Sequence, residues 1–220
     1  MNTELKKRIF TSVLLILLLT AMFFYSFVMI VSLIIIALIS WIEFYALISK
    51  ILTKDTIKDK FLKFLYKATS LLYLSLLVYF LFLIESNSLN LKLYLLYSIL
   101  VAILSDIGGF VFGKIFKGRK LTKISPNKTI SGSIGSFIFS LHLILIFYNE
   151  FTKYNFLELI LITLVISFAS QFGDLFISYL KRKAKVKNTS DLLPGHGGIL
   201  DRIDSIIIAI PTGILLFKIF

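Results

Sequence analysis

Residues 9–42 read IFTSVLLILLLTAMFFYSFVMIVSLIIIALISWI, a run of 34 residues without a charged side chain, and a basic start at residues 6–8 precedes it. A secretory signal peptide also joins a basic start to an apolar run, but this run is too long and lacks a small-residue cleavage site. Because one membrane crossing takes roughly 20 residues, the run predicts two short transmembrane helices with a tight turn near Tyr25–Ser26.

Similar apolar runs recur along the rest of the chain, which is 58% hydrophobic with a mean hydropathy of +0.92. The apolar fraction lies far above that of soluble domains. We therefore predict an all-α, polytopic integral membrane protein without a separate soluble domain. The spans expected after the first two cover residues 68–84, 93–113, 130–148, 156–180 and 199–220, seven in all. In the last span, Pro211 and Gly213 predict a kink.

The Lys and Arg residues decide the predicted orientation. With the N-terminus in the cytoplasm, all but three of the 24 basic residues fall on the cytoplasmic side, the exceptions being Lys92, Lys153 and Lys218. This bias satisfies the positive-inside rule. It also places two basic loops, residues 114–129 and 181–204, in the cytoplasm.

The composition limits the partners and the metals that the protein could bind. A net charge of +12 could indicate nucleic acid binding, but the basic residues lie between apolar spans, so a membrane surface and phosphate-bearing ligands fit better. The absence of cysteine excludes disulfides and thiolate metal sites, and two histidines make a histidine-rich centre a poor expectation. Carboxylates and water would have to hold any metal, which suits Mg²⁺.

Ionisable side chains at membrane depth are costly and therefore mark candidate functional sites. The acidic residues in or beside the spans on the cytoplasmic side are Glu43, Asp106, Asp174, Asp201 and Asp204. Asp174, Ser178 and Lys181 share one helical face, and Asp201 and Asp204 share another. Carboxylates facing a basic loop match a nucleoside triphosphate, because carboxylates hold Mg²⁺ and cations neutralise phosphate oxygens. These residues predict a membrane enzyme that handles phosphate esters at the cytoplasmic face.

Several of these residues also have a structural interpretation. Asp201 and Asp204 could stabilise a helix N-terminus. Asp174 could pair with Lys181 on the same helical face. His196 could contact phosphate, act as an acid or simply shape the glycine turn around it.

Two further ionisable residues, Glu43 and His142, are interpreted as structural. Glu43 follows Trp41 closely, at an estimated membrane interface, where we expect it to be structural or to face lipid. His142 lies inside the fifth predicted span and is expected to be packed and hydrogen-bonded. Neither residue is assigned to the site.

Residues 178–204 resemble the signature of the phosphatidate cytidylyltransferase family, also called CDP-diacylglycerol synthases. The family pattern is Ser-x-apolar-Lys-Arg, four residues, Lys-Asp, and after a spacer His-Gly-Gly-apolar-x-Asp-Arg-apolar-Asp. The positions that match in register are Ser178, Lys181, Arg182, Lys187, His196, Gly197, Gly198, Asp201, Arg202 and Asp204. Asn188 departs from the pattern, which has Asp at that position.

A second block is similar to the family's other cytoplasmic loop. Its matching positions are Ser105, Asp106, Gly108, Gly113, Lys114, Lys120, Leu121, Ser125, Pro126, Lys128, Thr129 and Gly132, and the triplet at residues 173–175 also fits. Ser131 departs from the acidic or amide residue usual there. The resemblance covers roughly residues 100–210, so it divides the chain into N-terminal spans, 1–100, and a catalytic membrane domain, 101–220.

The resemblance implies an activity. A phosphate oxygen of phosphatidic acid attacks the α-phosphorus of CTP, pyrophosphate leaves, and CDP-diacylglycerol forms. Mg²⁺ would be bound by Asp174 and Asp201, and a requirement for a monovalent cation is left open. The implied catalytic residues are Asp174, Asp201, Asp204, Lys181, Arg182 and His196. The implied substrate-binding residues are Ser178, Lys187, Arg202, Asp106, Lys128, Gly197 and Gly198.

The expected partners are CTP, phosphatidic acid and the lipid bilayer, without nucleic acid, and a homodimer is one expected assembly. Usage rich in lysine, isoleucine and asparagine is typical of an AT-rich bacterial genome, which predicts the cell (inner) membrane with the active site facing the cytoplasm. Three alternatives stay open. They are a CTP-dependent kinase or cytidylyltransferase for another, isoprenoid lipid phosphate; a transporter or channel; and an inactive scaffold.

Overall fold

The computed structural model describes residues 3–54, 56–87, 89–122, 125 and 128–220. Pro126, one matching position of the second block, lies outside the described residues. Within them the regular secondary structure is helical, apart from two isolated β-bridges, Lys120 with Thr129 and Leu193 with Gly197. The predicted all-α class is confirmed.

Eight helices follow one another in the described residues. They are α1 (Thr3–Phe24), α2 (Ser26–Ile51), α3 (Ile57–Asn87), α4 (Leu89–Phe116), α5 (Ile130–Phe147), α6 (Phe156–Lys183), α7 (Leu200–Ile203) and α8 (Ile206–Ile219). The predicted turn near Tyr25–Ser26 is confirmed, because Tyr25 separates α1 from α2 in an extended conformation, with φ −125° and ψ 105°.

Among the described residues, five helices are long and apolar enough to cross a membrane, and these are α2 to α6. Helix α1 contains a shorter apolar stretch, Phe10–Met22, and α8 has 14 residues. At a rise of 1.5 Å per residue, α8 is about 21 Å long, which is less than a hydrocarbon core of about 30 Å. The membrane class is therefore confirmed, whereas seven crossings remain a prediction.

The last predicted span is interrupted earlier than expected. Helix α8 continues through Pro211 and Gly213, whereas Asp204 and Ser205 form a turn between α7 and α8. Pro211 comes only six residues into α8, where the missing N–H deprives one carbonyl, that of Ile207, of its helical partner. The proline therefore does not end the helix.

The chain packs as two compact units, each made of segments that are separate in the sequence. The first unit consists of Met1–Asn87 and Leu180–Arg202, and it combines α1, α2 and α3 with the loop that follows α6. The second unit consists of Ser88–Tyr179 and Ile203–Phe220. The division at residue 100 followed the family resemblance rather than packing, and it remains a prediction.

In the first unit, α2 packs against both α1 and α3. Trp41 of α2 donates its indole N–H to the carbonyl oxygen of Lys67 on α3, at 3.0 Å. The Lys67 ammonium lies over the rings of Trp41 and Tyr45, 5.3 and 4.9 Å from their centroids. These cation–π contacts join α2 to α3.

In the second unit, α4 packs against α5 and α8 around a core that includes Tyr97, Leu159, Ile162 and Phe217. The Tyr97 hydroxyl is paired inside this core with the Thr163 hydroxyl at 2.6 Å. A buried hydroxyl needs such a partner, since desolvation without a hydrogen bond is unfavourable. The core therefore stays apolar without leaving this polar group unsatisfied.

Glycines let α4 and α5 approach each other closely. A Cβ atom at Gly135 would collide with the Phe112 side chain and would lie 2.8 Å from the carbonyl oxygen of Gly108. A Cβ atom at Gly108 would in turn collide with the carbonyl oxygen of Gly135. Small residues permit such contact between membrane helices, and here they bring the polar residues of the two helices side by side.

We expect Gly135→Ala to destabilise the protein by about 1–3 kcal/mol, because the added methyl group has no space between the helices. The measurement is the midpoint of thermal unfolding in detergent. Gly113→Ala is the matched control on the same helix pair, since its Cβ atom would meet nothing closer than Thr129 Oγ1, at 3.1 Å. Equal midpoints for the two variants would contradict the close packing at Gly135.

Candidate functional site

The predicted site residues fall into two groups, one in each unit. The first unit contains Lys181, Arg182, Lys187, His196, Gly197, Gly198, Asp201 and Arg202. The second unit contains Asp106, Lys128, Asp174, Ser178 and Asp204. The two predicted Mg²⁺ ligands, Asp174 and Asp201, therefore belong to different units, and a shared Mg²⁺ remains a prediction.

Asp201 is the centre of the group in the first unit. Its Oδ1 accepts a hydrogen bond from the Lys181 ammonium at 2.7 Å. Its Oδ2 accepts the N–H groups of Thr189 and Gly198 at 2.8 and 3.0 Å, and the Thr189 hydroxyl lies 3.0 Å away. The Asp201 side chain is 7% exposed, so the loop is folded around it.

The electrostatics of Asp201 favour the charged form. Burial alone would raise the pKa of Asp201, but the hydrogen bonds from Lys181 and from the N–H groups of Thr189 and Gly198 outweigh it and hold the pKa below its ordinary value. Asp201 lies in α7, outside the five membrane-length helices. At neutral pH its side chain is a carboxylate.

A tight turn positions His196. Pro194 and Gly195 occupy the central positions of the turn, and the His196 N–H donates to the Leu193 carbonyl oxygen at 2.8 Å. Gly195 has φ +77°, a conformation that side chains rarely adopt. Proline followed by a glycine of positive φ is the pattern of a type II turn. The Pro-Gly pair of the sequence thus fixes where the chain reverses before His196.

Two side chains hold His196 in place. Arg202 donates to the His196 carbonyl oxygen from Nε at 3.0 Å and also from Nη2. The Thr11 hydroxyl of α1 lies 2.6 Å from Nδ1 of the His196 ring. Arg202 therefore stabilises the loop itself, with further N–H donors left over from its five.

The remaining predicted residues of this loop are exposed or already engaged. The N–H of Gly197 donates to the Leu193 carbonyl oxygen at 3.0 Å, and that of Gly198 donates to Asp201. Contact of these amides with phosphate remains a prediction and would require those bonds to be exchanged. The Arg182 and Lys187 side chains are exposed. Exposure is compatible both with binding of a phosphate ligand and with the general bias of basic residues towards the cytoplasmic side.

Glu43 is an acidic candidate of the sequence that was interpreted as structural or lipid-facing and not assigned to the site. It lies on α2 and is 4% exposed, so the expectation that it faces lipid is wrong and the structural alternative is confirmed. Its Oε2 accepts from the Thr189 hydroxyl and the Leu200 N–H, both at 2.8 Å. Its Oε1 accepts from the Ser190 hydroxyl at 2.6 Å and the Ile199 N–H at 3.1 Å.

A signal for Glu43 was present in the sequence. Glu43 is the single charged residue between Arg8 and Lys50. A lone carboxylate in a long apolar run is a candidate functional residue by default, because its charge needs partners. The neighbouring Trp41 indicated a position at the membrane interface, and Glu43 was therefore not assigned to the site.

The second unit contains a partly open cavity of about 250 Å³. Its lining consists of Ser105, Asp106, Gly109, Phe110, Leu121, Lys128, Thr129, Gly132, Ser133, Ser136, Gln171, Asp174 and Leu175. Three predicted site residues, Asp106, Lys128 and Asp174, thus line one space. They come from α4, the loop before α5, and α6.

Asp174 is paired within this cavity. It forms an ion pair with Lys128 and accepts a hydrogen bond from the Ser178 hydroxyl at 3.3 Å. Within the first unit Lys181 binds Asp201, and the alternative pairing of Asp174 with Lys181, which lie in different units, stays a prediction. The predicted shared face of Asp174 and Ser178 is confirmed by their contact.

The other two predicted site carboxylates of the second unit, Asp106 and Asp204, contact the start of α8. Asp106 accepts a hydrogen bond from the Ser205 hydroxyl at 2.9 Å. Asp204 accepts one from the Ser205 N–H at 3.0 Å. Asp204 thus contacts the residue at which α8 begins, without a side-chain cap on that helix, so its capping role stays a prediction. Asp106 contacts the same serine from α4.

Gln171 is a cavity residue that the sequence analysis missed. Its Oε1 accepts from the Ser133 hydroxyl at 2.5 Å, and its Nε2 is buried without a hydrogen-bond partner among the described residues. A buried donor left unsatisfied is costly. The position of a glutamine within an apolar span was the available signal, since polar groups there are usually functional.

His142, by contrast, lies outside both groups. Its Nδ1 is 2.9 Å from the carbonyl oxygen of Ile138, one turn back on α5, so the expected hydrogen bond is confirmed. The side chain is exposed, so the expectation that it is packed is wrong. An apolar run contains both lipid-facing and packed positions, and hydropathy does not distinguish them.

The cavity has a donor set that fits Mg²⁺. No three His, Cys, Asp or Glu side chains of the described residues come together as metal ligands, but Mg²⁺ keeps several waters and needs only one or two carboxylates. Asp106 and Asp174 supply these beside serine hydroxyls. Two carboxylates and one ammonium leave the lining net negative, so a polyphosphate would need a further cation there. Both oxygens of Asp201, in contrast, already have donors.

Curated proteins named phosphatidate cytidylyltransferase are similar to this chain. The protein of Staphylococcus haemolyticus (strain JCSC1435) is 45% identical over 121 residues, which cover 54% of this chain and 46% of that protein. That of Staphylococcus saprophyticus subsp. saprophyticus is 42% identical over 144 residues, 64% of this chain and 55% of its own. That of Staphylococcus aureus (strain COL) is 43% identical over 135 residues, 60% and 51% of the two chains.

The chain therefore spans about half the length of the curated relatives it matches. The match at family level is more extensive. The model of the cytidylyltransferase family matches residues 1–220, which include both units and both groups of site residues. The chain belongs to the cytidylyltransferase family.

Proposed function

We propose that the chain is a membrane enzyme that transfers CMP from CTP to phosphatidic acid, giving CDP-diacylglycerol and pyrophosphate. The observation that carries this proposal is the cavity of the second unit, where Asp106, Lys128 and Asp174 lie together. The names of the staphylococcal relatives support the choice of substrates. The basic loops favour an active site on the cytoplasmic side of the cell (inner) membrane.

The proposed reaction is a displacement at phosphorus. A phosphate oxygen of phosphatidic acid forms a bond to the α-phosphorus of CTP. The bond from that phosphorus to the oxygen bridging to the β-phosphorus breaks, and pyrophosphate leaves with the electron pair. The attacking oxygen is already ionised at neutral pH, so no general base is required. Such a step depends on positioning and on charge stabilisation.

The residues of the cavity have separate roles in this proposal. Asp174 and Asp106 would hold Mg²⁺, which when bound neutralises phosphate oxygens and stabilises the leaving group. Lys128 would neutralise a phosphate oxygen in the same space, since its ammonium already lies at Asp174. The unpartnered N–H of Gln171 would donate to an acceptor on a substrate.

The loop of the first unit carries its own cationic candidates. Arg182 and Lys187 are exposed, and we assign them to phosphate binding. Lys181 and Arg202 have partners, Asp201 and the His196 carbonyl oxygen. We assign Lys181 and Arg202 to holding the loop as well as to charge neutralisation. The His196 ring would help to position a substrate.

The first experiment asks whether CMP reaches the lipid. Purified protein in detergent is given phosphatidic acid, Mg²⁺ and CTP labelled at the α-phosphate. We expect label in the lipid phase and an equal amount of pyrophosphate in water. No transfer to phosphatidic acid, with transfer to an isoprenoid phosphate, would overturn the substrate assignment and retain the reaction.

A second label separates the proposal from a CTP-dependent kinase. CTP labelled at the γ-phosphate should leave the lipid unlabelled, because the γ-phosphate departs within pyrophosphate. Label in the lipid from γ-labelled CTP, and none from α-labelled CTP, would establish a kinase instead. Absence of transfer from either form to any lipid phosphate would favour the inactive scaffold.

We expect Asp174→Asn to lower kcat by about a hundredfold or more, because it removes one of the two carboxylates that would hold Mg²⁺ and the ion-pair partner of Lys128. Glu158→Gln is the matched control at the other end of α6, where Glu158 accepts the Asn155 N–H at 2.9 Å, a bond that glutamine can replace. Both variants are assayed with α-labelled CTP at equal amounts of folded protein. Comparable activity in the two variants would contradict the role of Asp174.

A further inference from the structure

We propose that Glu43 is a positioning residue, whose carboxylate on α2 fixes the segment 189–200 and thereby the place of Asp201 and Lys181. The catalytic part of this inference rests on the proposed function. The structural part rests on the hydrogen bonds of the first unit alone. The four groups that donate to Glu43 belong to Thr189, Ser190, Ile199 and Leu200, none of them an assigned substrate-binding residue, so Glu43 acts through the loop.

The hydrogen bonds of Glu43 come from both ends of the segment. Thr189 and Ser190 donate from its beginning through their hydroxyls. Ile199 and Leu200 donate from its end through consecutive backbone N–H groups, directly before Asp201. A single carboxylate therefore connects the beginning and the end of this segment, which are separated by the turn that carries His196.

Thr189 links Glu43 to Asp201. Its hydroxyl lies 2.8 Å from Oε2 of Glu43 and 3.0 Å from Oδ2 of Asp201, and its N–H also donates to Asp201. A hydroxyl has one proton to donate, so the two carboxyl groups share one donor. Displacement of Glu43 would therefore be transmitted to Asp201 through one intervening residue.

The chemistry of the contact requires a carboxylate. The four donors are neutral N–H and O–H groups, and an ionised carboxylate accepts on both oxygens. Glutamine has nearly the same shape, but its NH₂ group would face donors in place of one oxygen. The fit is also close, since a Cβ atom at Gly198 would collide with the Thr189 hydroxyl and approach the Glu43 carboxylate. Glu43→Gln therefore changes the hydrogen bonding with little change in volume.

The test compares Glu43→Gln with wild type in two independent measurements on the full chain in detergent. Trypsin cleaves after Lys185 and Lys187, both exposed residues next to the fixed segment. We expect cleavage there to become about tenfold faster as the loop opens more often. With CTP and phosphatidic acid we expect kcat per folded protein to fall about a hundredfold, with a smaller change in the KM for CTP.

Ser40→Ala is the matched control. Ser40 is also buried on α2, but its hydroxyl donates to the Ile36 carbonyl oxygen of the same helix at 2.7 Å. At temperatures equally far below their midpoints of thermal unfolding, the Glu43→Gln variant should therefore be cleaved by trypsin faster than the Ser40→Ala variant. Cleavage and kcat no different from those of Ser40→Ala would overturn the inference. So would a loss of activity that only follows the loss of folded protein.

Ser190→Ala keeps the inference testable if Glu43→Gln does not accumulate in the membrane. It removes one of the four donors to Glu43, so tryptic cleavage should become faster and kcat should fall, each by less than in Glu43→Gln. Effects equal to those of Ser40→Ala would again overturn the inference. If wild type transfers no CMP, the proposed function fails, and the tryptic cleavage still decides whether Glu43 fixes the loop.

Discussion

A carboxylate buried among membrane helices must be met by donors, because an unpaired charge there is costly. In this protein the buried carboxylate of Glu43 is met by four neutral groups, and that of Asp201 by Lys181 and backbone amides. The partly exposed carboxylate of Asp174 pairs with Lys128. The amides of residues 198–200 all donate to Asp201 or Glu43. The same hydrogen bonds therefore satisfy the two carboxylates and fold the loop. A substitution at either carboxylate should disturb the backbone conformation of residues 198–200, and through it the binding of substrate.

Helix α6 carries polar residues whose partners belong to each of the two units. Ser178 donates to Asp174 in the second unit, while Lys181, three residues later, binds Asp201 in the first. Helical periodicity predicts that these side chains point in a common direction. It does not predict their partners, which belong to segments distant in sequence. The chain can therefore use a short stretch of one helix to organise two separate groups of charges.

Long uncharged runs made the helices predictable, and Tyr25 ends α1 where the run was expected to turn. The family signature also located the loop around Asp201 and the carboxylate of Asp106. Glu43 could not be placed in the same way, because its donors lie 146 to 157 positions away in the sequence. Hydropathy describes a local neighbourhood, and these contacts are long-range. Pro211 lies inside α8, which continues through it, and the kink expected there stays a prediction.

Asn188 is the departure from the family signature that bears most directly on Asp201. A Cβ atom at Gly197 would lie 2.8 Å from Oδ2 of Asp201 and 3.2 Å from Cγ of Asn188, so the two side chains are at most about 6 Å apart. An aspartate at 188 would add a like charge beside Asp201 and compete for Lys181. The contacts that hold Asp201 come from Lys181, Thr189 and Gly198 and do not involve Asn188. The neutral amide therefore leaves the pairing of Asp201 intact and removes one source of repulsion from it.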